Sequence, residues 1–197
     1  MFTYDEYINY HCPRWEELPD IGLYMDQVVG VLEKHLAIFA EDEEQKIVTS
    51  TMINNYVKQH VVVPPQKKRY DRIHLAYFYL VCILKRFLNI AEISAGMTRM
   101  IEKYEPQRIY DQFCTEIEYS IRHTFAPDVY PELSPDSSNP DTAPYAEQDD
   151  LKVFRAITNA YANVLYARYL IAGLKLVDKS EEKEHTPKKA DKKKSAE

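Results

Sequence analysis

A chain of 197 residues and 23.1 kDa, 45% hydrophobic, holds enough apolar matter for one good core, or for one small domain with a helical extension. Four glycines and no GxGxxG or Walker-type pattern exclude the usual phosphate-cradling loops, and the three cysteines Cys12, Cys82 and Cys114 form neither a disulfide framework nor a CxxC metal pair, which fits a reducing cytoplasm. The net charge of −6 is unevenly spread: residues 46–86 carry eight positive side chains against Asp71 alone, a local +7, whereas residues 1–45 carry eleven acids against Arg14 and Lys34, a local −9. A polyanion responds to the nearby field, so the basic stretch is a candidate footprint for DNA on an acidic protein, while the acidic segment should face away from DNA or pack as its counter-charged neighbour.

The predicted elements begin with an acidic arm over residues 1–20. A helix follows over 21–39, where Leu23, Val28, Val29, Leu32, Leu36 and Phe39 make an apolar stripe behind Asp20 as N-cap. A short helix over 50–58, capped by Thr49 or Ser50, turns Met52, Ile53, Tyr56 and Val57 to a core and Asn54, Asn55 and Lys58 outward. Adjacent asparagines on such a helix suit paired hydrogen bonds to adenine edges. Residues 61–63 read as a brief strand stopped by Pro64 and Pro65, and 66–70 as a second strand or extended tip whose Lys67, Lys68 and Arg69 suit phosphate contact.

Asp71 then caps a nearly buried helix over 71–87, the central strut, with His74 at its third position as a structural group. Asn89 and Glu92 have capping-box spacing for the next helix. Pro106 opens another, with Ile109, Tyr110, Phe113, Ile117 and Ile121 on one face. Five prolines punctuate 126–149, a predicted loop. The last helix, over 151–176, is apolar on a broad face, and the charged tail 178–197, with seven lysines and six acids, is expected to be disordered. No signal-type leader and no apolar run of membrane-spanning length occurs, so a soluble cytoplasmic protein is expected.

The order of pieces from Thr51-Met52-Ile53-Asn54-Asn55-Tyr56 through Pro64-Pro65, Lys67-Lys68-Arg69-Tyr70, Asp71-Arg72-Ile73-His74-Leu75 and Leu88-Asn89-Ile90-Ala91-Glu92-Ile93 resembles the DNA-binding head of the MerR family. The run MINNYVK with PPxKKRYDRxHL is still more similar to the DUF1836 domain family of bacterial proteins. The resemblance implies a mainly α fold: a MerR-like winged helix-turn-helix domain with a small β-wing over 21–104, then a helical dimerisation or effector region over 105–177. It also implies a recognition helix presenting Thr51, Asn54, Asn55 and Lys58, a wing of Lys67, Lys68 and Arg69 with Arg72 beside it, and an inward-packed Tyr70.

The expected function is therefore a non-enzymatic transcriptional regulator that binds double-stranded DNA as a homodimer, without a cofactor. The alternative is a protein-interaction or ligand-sensing module, with an unknown effector or partner, that reuses the winged-helix fold. Acid pairs such as Glu102 with Glu105, or Asp111 with Glu118, lack a distinctive catalytic context, and no HxxxH or HExxH spacing occurs among the histidines.

Overall fold

A computed structural model describes residues 2–40, 46–131 and 148–184, with side chains of 148, 149, 151 and 175–184 excepted. It is mainly α. Among the described residues seven α-helices run in order: α1 (Tyr4–Ile8), α2 (Met25–Leu36), α3 (Ser50–Lys58), α4 (Arg72–Leu84), α5 (Ile90–Lys103), α6 (Pro106–Phe125) and α7 (Gln148–Glu184), with short 3-10 turns at Trp15–Glu17 and Ala37–Phe39.

The helix starts follow from local chemistry. Thr49 Oγ1 accepts the Met52 N–H at 3.2 Å to open α3, and Asn89 with Glu92 closes a reciprocal capping box on α5. Asp71 accepts the His74 N–H while His74 Nδ1 lies 2.5 Å from Asp71 Oδ1, so His74 is a capping group inside the fold, 4% exposed. At α2 the expected Asp20 cap is replaced. The chain stays extended through Tyr24, whose N–H donates to Gln27 Oε1 at 2.9 Å, because Leu23 is held in a backbone bridge to Tyr70.

α4 is the strut. Every residue from His74 to Ile83 is buried, and the helix lies against α2 on one side and α6 on another. Burial of the Cys82 thiol pushes its pKa up to about 12, which marks a core side chain rather than a nucleophile. α6 is enclosed more completely than its one-faced stripe suggests: α1 and the Trp15 turn cover one side and α7 another. Its buried polar residues are matched across these contacts. Glu116 accepts from Arg155 Nε at 3.2 Å, Ser120 Oγ bonds Thr158 at 2.8 Å, and Glu118 receives Arg14 through both guanidinium nitrogens, at 2.7 and 2.9 Å.

Two expectations are corrected. The small β-wing does not form as strands: among the described residues there are only isolated bridges, Gln66 with Arg69 and Leu23 with Tyr70. Three residues remain between Pro65 and Arg69, and prolines that lack an N–H precede them, so no ladder can extend. Residues 61–63 are not a strand either. The Val61 and Val62 N–H groups both donate back to the Tyr56 carbonyl, after His60 reverses the chain at φ 57°, and both side chains plug the core.

The acidic arm is also more than an arm. Tyr7, Tyr10, Cys12 and Leu18 are core residues, with Tyr7 stacked on Phe125 at 4.6 Å. At the other end α7 continues past the Asp178 boundary to Glu184. Of the predicted proline-punctuated loop, residues 132–147 lie outside the described residues, as do 185–197 of the tail.

Candidate nucleic-acid interface

α3 is amphipathic in the strict sense that its two faces have different jobs. Ile53 and Tyr56 are 0% and 3% exposed and seat the helix, while Thr51, Asn54, Asn55 and Lys58 are exposed on the other face. Asn55 Oδ1 accepts from Gln59 Nε2 at 3.1 Å, which orients that amide along the helix.

Beyond the Val61–Val62 anchor, the chain makes a four-residue turn from Gln66 to Arg69, closed by the Arg69 N–H on the Gln66 carbonyl at 2.9 Å. Its two central residues, Lys67 and Lys68, take φ 48° and 62°, left-handed values that L side chains adopt at a cost of about 1–2 kcal/mol each. Both lysines are exposed. Directly after the turn, Tyr70 is 4% exposed and exchanges two backbone hydrogen bonds with Leu23, at 2.7 and 2.9 Å, so the inward-packed tyrosine locks the turn to the entrance of α2.

The two arginines behave differently from the lysines. Arg69 donates to the Gly22 carbonyl at 3.0 Å and to the Tyr24 hydroxyl at 2.9 Å, with its guanidinium 4.5 Å from the centre of the Tyr24 ring. A Cβ at Gly22 would come within 3.1 Å of Arg69 Cδ, so a side chain there would press on the arginine. Arg72 is only 15% exposed and pairs with Glu16 at 2.9 Å and Asp20 at 3.7 Å, 6.0 Å from the Trp15 ring centre. The basic stretch thus divides: Lys58, Lys67 and Lys68 face solvent, Arg69 is exposed too but hydrogen-bonded to the segment before α2, and Arg72 is largely covered and ion-paired with it. Sequence spacing gives no sign of that division, because both arginine partners are more than forty positions away along the chain.

The acids with no catalytic context have structural partners. Asp111 Oδ1 accepts the Trp15 N–H at 2.7 Å, with burial raising its pKa, and Glu118 collects the Cys12 N–H at 2.7 Å besides Arg14. Among the described residues no group of three or more His, Cys, Asp or Glu side chains is arranged to hold a metal ion, and no helix is long and apolar enough to cross a membrane.

A mainly α body with an exposed polar helix and a lysine turn defines the class. The sequence model of a domain of unknown function, DUF1836, matches residues 13–113, and the chain belongs to that family. No curated protein and no solved structure matches it. The matched region starts at the Trp15 turn, which the sequence assigned to an arm, and ends within α6; α7 lies outside it.

Proposed function

We propose that this protein is a non-enzymatic, DNA-binding transcriptional regulator with a MerR-like head, in which α3 is the recognition helix and the Lys67–Lys68 turn contacts phosphate. The observation that carries the reading is the polar face of α3, Thr51, Asn54, Asn55 and Lys58, held outward by the buried Ile53 and Tyr56 and followed closely by an exposed cationic turn. Asparagines on a groove-inserted helix read adenine edges, and lysines at a turn fix register on phosphates. Arg69 and Arg72 serve as positioning residues: they brace the turn and the start of α4 against the segment before α2. The protein acts on DNA as a homodimer, so that two α3 helices reach successive major grooves.

Fluorescence anisotropy with genomic DNA fragments at several salt concentrations tests this. Lys67→Ala with Lys68→Ala should weaken binding to all sequences and reduce the salt slope by up to about two. Asn54→Ala should instead change which fragments are preferred. A folded wild-type chain that binds no fragment even at low salt refutes the reading.

One observation favours the ligand-sensing alternative. A cleft of about 470 Å³ between α1 and the end of α2, lined by Phe2, Tyr10, His11 and His35 among others, falls in the size range of small-molecule sites. A small molecule binding there with no DNA affinity in any state would support that second reading.

A further inference from the structure

α7 has two faces with different fates. Phe154, Thr158, Tyr161, Ala162 and Leu165 are buried on the side toward α6. Leu170, 47% exposed, stands apart, and Val153, Val164, Ile171 and Leu174, 50%, 42%, 51% and 66% exposed, lie together away from α6. With the partly buried Ile157 and the exposed Ala160 and Ala167, they recur at alternating steps of four and three over 22 residues. That is a heptad seam: β-branched Ile157, Val164 and Ile171 fall at one core position, and Val153, Ala160, Ala167 and Leu174 at the other.

We propose that this seam binds a second copy of the chain, helix α7 against helix α7. A surface that merely tolerates scattered apolar residues has no reason to keep a 3.5-residue period through three turns of the heptad, whereas a helix meeting its own copy presents the same period on both sides. The alanines let the axes approach while the branched residues act as knobs. The amount of surface is also adequate. At the exposures above the seam offers roughly 500 Å² per copy, so a pair buries on the order of 1,000 Å², the lower bound for a specific protein interface. The seam lies on the part of the chain outside the family match, so it adds a pairing element to the matched body rather than using the α3 surface.

This deepens the homodimer named above, and its test is made without DNA, so that failure of DNA binding and failure of pairing are separate results. Light scattering coupled to gel filtration on the full chain should give twice the chain mass for the wild type and one chain mass for Val164→Glu with Ile171→Glu. Both sites are solvent-facing, so the circular dichroism spectrum and melting should stay cooperative. Ile101→Glu, at a residue 45% exposed on α5, should leave the dimer mass unchanged. A monomeric wild type at micromolar concentration, a double variant that remains dimeric, or dissociation by the α5 variant overturns the proposal.

Discussion

Lys67 and Lys68 hold a conformation that their side chains disfavour, and strain of this kind persists only where the surroundings over-determine it. Here the surroundings are the Leu23–Tyr70 bridge and the Arg69 clamp on Gly22 and Tyr24. Asparagine and glycine accept left-handed φ more readily than lysine. Lys67→Asn with Lys68→Gly should therefore raise stability by about 1 kcal/mol, seen as a melting rise of a few degrees, and, on the proposed DNA-binding reading, lower DNA affinity. Opposite signs in the two measurements would separate charge from turn geometry; a fall in both would mean the turn needs the lysines to fold. Glu118 is the counterpart inside the body, 4% exposed and bound to Arg14 and to the Cys12 backbone. Truncating it leaves donors without an acceptor, so Glu118→Ala should cost about 3 kcal/mol in urea denaturation.

Elements here are joined by a few charged contacts laid over apolar packing. Asp150, 2% exposed at the start of α7, receives Lys103 Nζ at 2.7 Å, the Tyr104 hydroxyl at 2.8 Å and Arg99 Nε at 3.1 Å, and so ties α7 to the end of α5. Burial pushes the carboxyl pKa up, but the three bonds outweigh burial and leave it below its ordinary 3.8. A carboxylate with a depressed folded-state pKa contributes stability above its unfolded pKa and loses it as the pH falls through the folded value. The wild type should therefore lose stability on acidification from about pH 4 downward more steeply than Asp150→Asn, as read from urea midpoints at each pH. Equal slopes would remove Asp150 from the coupling of α5 to α7. The helix starts needed no such contacts to be recognised: Thr49, Asp71, Asn89 and Pro106 announce them locally.

For the whole molecule, the decisive feature is that the amino-terminal residues close the core. Tyr10 bonds the Tyr79 hydroxyl, Cys12 lies 3.2 Å from it, and Trp15 stands edge-on to Tyr110 at 6.4 Å. Deleting residues 2–18 would expose α6 along the side that these groups cover. The shortened chain should lose cooperative thermal unfolding and aggregate, whereas a dispensable arm would leave the melting temperature unchanged.

The helical class, six of the seven helices among the described residues, the α4 strut and the outward face of α3 were readable from the sequence, because caps and apolar periodicity act within a few residues. The amino-terminal packing was not. Its acids hide the fact that Tyr7, Tyr10, Cys12 and Leu18 are apolar anchors spaced too irregularly to show a period. The single turn that stands where wing strands were expected, and the split between the lysines and the engaged arginines, were likewise decided by tertiary structure. Which charges stay free depends on which distant acids, carbonyls and rings the fold brings beside them, and Glu16, Asp20, Gly22 and Tyr24 meet Arg69 and Arg72 only once α2 and α4 have packed together.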